Sequence, residues 1–341
     1  MVQGFPAPTR EPVQSWQSQG LVRRVIRDDR AAVRATHSAH HAEFPVFDMP
    51  QQSSYHGLYI NLDRSPERRH NFEKHLAELG LEDRYFRFPG VDGKTLNLPS
   101  GPLKPGEVGV FLSHHRALEQ ARGLGKCVHI LEDDALLSEH VVPVIEDAVA
   151  VNLFEQYDLL FTDMMVHCHI GFMKSLKSQF DKIEMPPPHP LRLNQLQIID
   201  LSKVFHAAFQ SYVVGAKSVE RLLALCRQEI AGGIKTPVDI FIQQQVLGGR
   251  LRAACVFPFI TSFRLEDVVT STIADQGERI GQPTIMVMAV LRYLFFLGCD
   301  LDYAKRILDA ATSSNRTKTD GRHALMVQAT EFVMSNDFTG S

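Results

Sequence analysis

The residues Val128-His129-Ile130-Leu131-Glu132-Asp133-Asp134 carry the strongest structural signal in the sequence. A short, mostly apolar run of this kind is typical of a buried β-strand. It ends in three consecutive carboxylates, and open α/β sheets bind ligands beyond the carboxyl ends of their strands. Adjacent carboxylates repel one another unless a cation lies between them. Oxygen ligands of this kind suit Mg²⁺ or Mn²⁺. The stretch predicts a metal–diphosphate site whose natural ligand is a nucleotide-sugar. An acidic helix N-terminus is the alternative.

The composition indicates a globular protein that does not bind nucleic acid. A chain of 341 residues allows one large or two small domains, and its 44% hydrophobic content is enough for a sizeable core. With 36 basic and 39 acidic side chains, the net charge of −3 argues against a nucleic-acid partner. Five scattered cysteines without a Cys-x-x-Cys pair, and no signal-peptide pattern, predict a cytoplasmic location.

Strand and helix patterns alternate from residue 57 onward. Gly57 to Leu62 reads as a buried strand, and Ser65-Pro66 is a typical helix start. Further strands are predicted before Gly90, at the acidic stretch and before Asp163, with a helix in each interval, the last of them from Ser138 to Leu153. Phe209 to Val214 reads as a later strand. The order β-α-β-α-β-α-β predicts an α/β fold with a mostly parallel sheet flanked by helices.

Seven short motifs then follow one another along the chain. They are Tyr59-Ile60-Asn61-Leu62-Asp63-Arg64-Ser65-Pro66-Glu67-Arg68-Arg69, Val91-Asp92-Gly93, Gly106-Glu107-Val108-Gly109 through Ser113-His114, Leu131-Glu132-Asp133-Asp134, Ser211-Tyr212-Val213-Val214-Gly215-Ala216-Lys217, Pro237-Val238-Asp239 and Ser271-Thr272-Ile273. Each motif alone is weak, but together and in this order they resemble glycosyltransferase family 25, the lipopolysaccharide-type and collagen-type sugar transferases. The resemblance covers about residues 57 to 275.

The resemblance implies a GT-A type fold, a divalent metal, a uridine diphosphate (UDP) sugar donor and inversion at the anomeric carbon. We expect a flexible or loosely docked extension over residues 1–54, a glycosyltransferase domain over 55–280 and a helical extension over 281–341. The apolar run from Ile285 to Leu297 is too short to span a bilayer. We expect it to be a buried helix, with association at the inner face of a membrane as the alternative.

The resemblance also suggests which residues bind the donor. They are Asn61, Asp63, Arg64, Arg69, Asp92, Ser113, His114, Glu132 and Asp133. Most of these have a simpler alternative role: Asn61 and Asp92 as turn residues, Asp63 as a helix cap, and Ser113 and His114 as packing residues. Arg64, Arg68 and Arg69 all offer a cation for the diphosphate, although Arg68 and Arg69 could equally lie on a solvated helix face.

The metal and the base are assigned to separate acidic residues. Asp134 is the first choice as direct metal ligand, with Glu132, because alternate strand residues share a face. Inverting transfer needs one base to take the proton of the acceptor hydroxyl, and Asp239 is the best candidate. A helix cap is the alternative role of Asp239, and Asp163 is the reserve base.

The sequence as a whole predicts a metal-dependent inverting glycosyltransferase. It would move a hexose, galactose or glucose, from a UDP-sugar to a carbohydrate acceptor that could be lipid-linked, in lipopolysaccharide or surface-glycan synthesis. Two alternatives are a non-catalytic glycosyltransferase-like binding module and another metal-dependent nucleotide-using transferase. The intact acidic triplet counts against the first, and the absence of a glycine- and lysine-rich phosphate loop counts against the second. The oligomeric state is left open.

Overall fold

The structure is a computed structural model that describes residues 53–97, 101–165, 170–184, 187, 189–204, 206–265, 283–304 and 306. The expected N-terminal extension lies outside the described residues except for residues 53 and 54. Ser271-Thr272-Ile273 and the chain beyond residue 306 lie outside them as well.

Strands and helices alternate over most of the described chain. The strands are β1 (Tyr55–Asn61), β2 (Tyr85–Pro89), β3 (Cys127–Glu132), β4 (Ala135–Leu137), β5 (Leu159–Phe161), β6 (Gln197–Asp200), β7 (Ser211–Val214), β8 (Ala253–Phe257) and β9 (Thr261–Phe263). The helices are α1 (Pro66–Glu78), α2 (Pro105–Ala121), α3 (Val141–Ala150), α4 (Leu153–Gln156), α5 (Ile170–Phe180), α6 (Val219–Ala231), α7 (Val238–Leu247) and α8 (Pro283–Leu294).

Seven strands form one mixed, mostly parallel sheet in the order β2-β1-β3-β7-β5-β8-β6. The strands β2, β1, β3, β5 and β8 run in one direction, whereas β7 and β6 are antiparallel to their neighbours. A separate two-stranded sheet pairs β4 with β9. The sheet and its flanking helices form the α/β fold that the sequence predicts, and this fold is consistent with a GT-A-like type.

Both faces of the large sheet are covered. Successive side chains of its strands point to opposite sides, so each strand packs in two clusters. In β1, Leu58 packs in a cluster with Phe111 of α2, while Tyr59 packs in a second cluster with Phe72 of α1 and Val144 of α3. Sheets buried on both faces have continuous apolar strands. This is why β1 and β3 read as mostly apolar runs and do not alternate between apolar and polar residues.

The described elements differ from the sequence-based expectations at several points. The helix predicted from Ser138 to Leu153 is two helices, α3 and α4, separated by Asn152 in the left-handed region with φ 56°. The strand predicted from Phe209 to Val214 is shorter and antiparallel to both neighbours. The strands β4, β6 and β9 were missed because runs of three or four residues carry too little periodicity to be recognised.

The apolar helix α8 is packed against the domain. Leu291 of α8 and Phe295, the residue that follows α8, join the cluster on one face of the large sheet. Phe295 contacts Phe180, Phe257 and Phe259. These contacts favour a packed helix over a membrane-bound one. Within the described part of the chain, no helix combines the length and the apolar character that crossing a bilayer requires.

Candidate active site

The acidic triplet lies where the sheet ends. The strand β3 stops at Glu132, and Asp133 and Asp134 form the turn that leads into β4. The argument from strand alternation therefore does not apply to Glu132 and Asp134, because Asp134 is no longer in the strand. Both side chains nevertheless line the same cleft, which we call the acidic cleft.

Arg68 and Asn61 hold the acidic turn from one side. A guanidinium nitrogen of Arg68 lies 2.5 Å from Asp133 Oδ1 and 2.9 Å from Asp134 Oδ2, while Asn61 Nδ2 donates to Asp133 Oδ2 at 2.6 Å. The pKa of Asp133 is raised to about 6, mainly by burial and with a contribution from Asp134, against the lowering effects of Arg68 and Asn61. Two carboxylates, those of Asp133 and Asp134, face the single guanidinium of Arg68, which does not balance their combined negative charge.

A second set of residues holds the turn from the other side. Gln210 Nε2 donates to Asp134 Oδ1 at 3.0 Å, and Arg292 donates to Gln210 Oε1 at 2.6 Å. Arg292 also forms an ion pair with Asp163, which follows β5 by two residues. Burial raises the pKa of Asp163 to about 6, against the effect of Arg292 and with a contribution from Asp134 and Glu132. The tips of β3 and β5 thus share one buried charged cluster.

The acidic cleft opens beyond the carboxyl ends of β1, β2 and β3, as expected for an open α/β sheet. It encloses about 640 Å³ of empty space including its open mouth. Its lining is Ile60, Leu62, Arg64, Ser65, Arg68, Val91, Asp92, Gly93, Gly106, Val110, Ser113, His114, Glu132, Asp133 and Asp134.

Two glycines let α2 approach the turn after β2 and so form one wall of the cleft. A Cβ on Gly93 would lie 1.6 Å from the Pro105 carbonyl oxygen, and one on Gly109 would lie 2.6 Å from the Val91 carbonyl oxygen. Ser113 fixes the same contact, since its hydroxyl donates to the Gly109 carbonyl and accepts from the Val91 N–H. The Ser113 hydroxyl thus has backbone partners, although the residue lines the cleft.

Arg64 and Asp92 form a pair at the cleft. Arg64 Nε donates to Asp92 Oδ2 at 2.5 Å, and Asp92 also accepts the N–H of Lys94 as the cap of a short 3₁₀ turn. Burial raises the pKa of Asp92, but the Arg64 and Lys94 hydrogen bonds outweigh it, so the pKa is lowered overall. An ionised Asp92 and a half-exposed guanidinium together can hydrogen-bond a polar ligand.

His114 links α2 to the end of β3. Its Nδ1 lies 3.0 Å from the Tyr212 hydroxyl and its Nε2 lies 3.3 Å from Glu132 Oε1, while its ring packs on Phe209. His114 is 1% exposed. Both ring nitrogens of His114 therefore have partners, and the contact of Nε2 with Glu132 makes His114 an orienting partner for that carboxylate.

Several predicted site residues lie away from the cleft lining. Asn61 is buried behind Asp133, which it orients. Asp63 is exposed and paired with Arg87. Arg69 pairs with Glu73 one turn along α1, so Arg68 rather than Arg69 reaches the acidic turn.

The two base candidates also lie outside that lining. Asp163 is 1% exposed in its ion pair with Arg292. Asp239, in the first turn of α7, is partly exposed; it accepts the N–H of Ile240 and, at 3.5 Å, that of Ala208. Ala208 is two residues before Gln210, so Asp239 lies beside the segment whose Gln210 contacts Asp134. Asp239 is also the more accessible of the two carboxylates.

The residues of the cleft fit a divalent cation in chemical type. Glu132, Asp133 and Asp134 supply three carboxylates to the cleft lining, and the guanidinium of Arg68 is paired with Asp133 and Asp134. Within the described ranges, no three His, Cys, Asp or Glu side chains already surround one point as a ligand set. In proteins Mg²⁺ and Mn²⁺ are usually held by one or two carboxylates together with phosphate oxygens.

Sequence reasoning missed the roles of Gln210 and Arg292. Gln210 carries no motif, and its position only becomes meaningful once β7 is seen to lie antiparallel beside β3. Arg292 did carry a signal, as the one charge in the apolar run from Ile285 to Leu297. A buried charge in an apolar helix needs a partner, and that partner is Asp163.

Comparison with known proteins supplies an independent line of information. The model of a family described as "Glycosyltransferase family 25 (LPS biosynthesis protein)" matches residues 55–242. Proteins named "Glycosyltransferase 25 family member" are similar over part of the chain. The one from Drosophila pseudoobscura pseudoobscura is 34% identical over 34% of this chain and 22% of its own length. The one from Anopheles gambiae is 37% identical over 26% of this chain and 18% of its own. The matched region spans about a fifth of the length of these relatives.

Proposed function

The chain belongs to glycosyltransferase family 25, and from that premise we propose which transfer it carries out. We propose that it moves a hexose, galactose or glucose, from a UDP-sugar to a carbohydrate acceptor, with inversion at the anomeric carbon and with a divalent metal. The observation that carries this proposal is the acidic cleft, where Glu132, Asp133 and Asp134 lie together with Arg64 and Arg68.

The donor would bind with its diphosphate over the acidic turn. Arg64 supplies a guanidinium for the phosphate oxygens, and the fork geometry of arginine suits them. Asp92 accepts hydrogen bonds from the uracil or ribose, and its lowered pKa keeps it ionised as an acceptor. His114 and Asn61 act behind these groups by orienting Glu132 and Asp133.

Asp134, with Glu132, would hold the cation. When bound, Mn²⁺ or Mg²⁺ stabilises the negative charge that develops on the leaving diphosphate. The protein's part is to keep the carboxylates oriented, which Arg68 and Gln210 do for Asp134. The local excess of negative charge at this turn supports the assignment.

Asp239 would take the proton from the acceptor hydroxyl as that oxygen attacks the anomeric carbon. Inversion needs one base on the face opposite the leaving group. Asp239 is favoured over Asp163 because its carboxylate is partly exposed, whereas Asp163 is buried against Arg292.

The acceptor is proposed to be a glycan of the cell surface, such as a lipopolysaccharide, and a lipid-linked form is part of the proposal. The family description supports this substrate class by its wording, "LPS biosynthesis protein". A lipid-linked acceptor would bring the enzyme into peripheral contact with a membrane surface, at the inner face if the enzyme is cytoplasmic.

A donor screen tests the proposed function. Purified protein with Mn²⁺ is offered UDP-galactose, UDP-glucose and other nucleotide-sugars, and release of free nucleotide is followed with an oligosaccharide acceptor. We expect a UDP-hexose to be used and the Asp134→Asn variant to turn over at least ~100-fold more slowly, because several kcal/mol of electrostatic stabilisation is lost. Release of nucleotide from no donor, while UDP still binds, would favour a non-catalytic binding module.

A further inference from the structure

Arg292 is an unusual residue for its surroundings. It lies in α8, outside residues 55–242 that the family model matches, and it is 2% exposed in a helix that is otherwise apolar around it. Its guanidinium lies 4.6 Å from the centre of the Phe263 ring and forms an ion pair with Asp163. A buried ion pair is weak evidence for stability, since an apolar pair of similar volume is often as stable. The position of Arg292 therefore calls for another explanation.

The contact of Arg292 with Gln210 supplies that explanation. Arg292 donates to Gln210 Oε1 at 2.6 Å, and Gln210 Nε2 donates to Asp134 Oδ1 at 3.0 Å. A guanidinium can only donate and an ionised carboxylate can only accept. The amide of Gln210 between them consequently has one satisfactory orientation. Without Arg292, the amide could turn its oxygen toward Asp134 and repel it.

Gln210 also holds the backbone of the acidic turn. Its carbonyl accepts the N–H of Glu132 at 2.8 Å, while its side chain contacts Asp134. The residue thus bonds both residues that are proposed to hold the cation. Through Gln210, Arg292 of α8 is linked to the tip of β3.

We propose that Arg292 is a positioning residue for the acidic turn, acting through Gln210 to fix the Asp134 carboxylate in its orientation toward the cleft. This inference rests on the proposed function, since it assigns a purpose to the orientation of Asp134. It makes α8 part of the active-site structure, and it explains why a charged side chain is kept inside an apolar helix.

Two variants separate positioning from charge balance. Arg292→Lys keeps a cation beside Asp163 but loses the second donor of the guanidinium fork, which reaches Gln210. Gln210→Met removes the link and leaves the Arg292–Asp163 pair intact. The matched control is Arg221→Lys, because Arg221 pairs with buried Asp158 at the opposite end of the same strand, β5.

The measurement is Mn²⁺ binding in the presence of UDP, followed by the electron paramagnetic resonance signal of the free ion, with the melting temperature as a check of folding. We expect Arg292→Lys and Gln210→Met to stay folded and to bind Mn²⁺ about 10-fold or more weakly, which is typical when a partner of a metal ligand is lost. Arg221→Lys should bind as the wild type does.

Each other result overturns the inference in a recognisable way. If Asp134→Asn loses Mn²⁺ while Arg292→Lys and Gln210→Met bind it normally, the metal site stands and only the positioning role fails. Unfolding of both variants would assign Arg292 and Gln210 to stability alone. If the wild type binds no Mn²⁺, the proposed metal site fails, and the inference fails with it.

Discussion

Arg64 and Arg69 are near neighbours in the chain but have different surroundings. Arg64 lines the acidic cleft beside Asp92, whereas Arg69 is paired with Glu73 on the surface of α1. We expect Arg64→Ala to weaken UDP binding about 10-fold or more, because a hydrogen bond between charged groups is lost. Arg69→Ala is the matched control and should change the dissociation constant less than about twofold. Calorimetry measures both, and equal losses would bring Arg69 back as a donor ligand.

Asp239 is expected to act on the acceptor and not on the donor. The Asp239→Asn variant keeps the shape of the side chain but cannot take a proton, so transfer should be nearly abolished while UDP-sugar binding stays close to that of the wild type. Donor affinity by calorimetry and turnover by product assay separate the two effects. A parallel loss of both would make Asp239 a donor or metal ligand, and Asp163 would become the base to test.

At the residue level, the sequence predicted the types of side chain at the site better than their partners. Asp134, Glu132, Arg64 and Asp92 line the cleft as a set. The partners of Gln210 and Arg292 could not be predicted, because these contacts join segments far apart in the chain.

The element α2 packs against the turn after β2 because neither Gly109 nor Gly93 has a side chain. We expect Gly109→Ala to destabilise the protein by about 1–3 kcal/mol, as is usual when a methyl group is forced into a packed contact. Gly123→Ala is the matched control, since a Cβ there would meet nothing within 4 Å. Urea unfolding measures both variants. A Gly109→Ala protein as stable as Gly123→Ala would show that α2 can shift at no cost.

Phe295 tests how α8 is held in the fold. The Phe295→Ala variant should lose about 3–5 kcal/mol, because its ring is fully buried between Phe180, Phe257 and Phe259. Denaturant unfolding measures the loss.

Deletion of residues 283–341 should expose this aromatic surface and cause aggregation. Sedimentation with and without anionic liposomes distinguishes a packing role from a membrane role. A truncated protein that stays soluble, folded and active, but no longer sediments with liposomes when the full chain does, would favour the membrane role.

At the element level, the sequence predicted the alternation of strands and helices and the place of β1, β2, β3 and β5. The direction of β7 could not be predicted, because apolar strands read the same in either direction. It depends on how the chain between β5 and β7 crosses the sheet.

A chain of buried polar groups runs across the large sheet from β2 to the end of β5. The hydroxyl of Tyr85 contacts His129 Nδ1 at 2.9 Å, His129 Nε2 contacts the Ser211 hydroxyl at 2.9 Å, and Ser211 continues to Thr162 at 2.5 Å. Burial lowers the pKa of His129 to about 3. The folded protein therefore holds His129 neutral under conditions in which the unfolded chain would protonate it.

The stability of the molecule should consequently fall in acid. The contribution of His129 is fully present above its unfolded pKa of about 6.5 and is lost as pH falls from there toward 3. We expect the free energy of unfolding to be about 2 kcal/mol lower at pH 5 than at pH 7 from this residue alone. Urea unfolding of the wild type and His129→Gln at both pH values isolates the effect. An equal pH dependence in the two proteins would contradict the buried neutral histidine.

The central claim is that the acidic cleft binds a nucleotide diphosphate through a metal held by Asp134. Calorimetric titration of UDP tests it most directly, with wild-type protein in Mn²⁺, wild-type protein in excess EDTA, and Asp134→Asn in Mn²⁺. Asp147→Asn serves as the control, because Asp147, on α3, pairs with Arg192 and lies outside the cleft lining. The account predicts binding by the wild type and the control in Mn²⁺, weakened about 10-fold or more by EDTA and by Asp134→Asn. UDP binding that is unchanged in EDTA and in Asp134→Asn would contradict it.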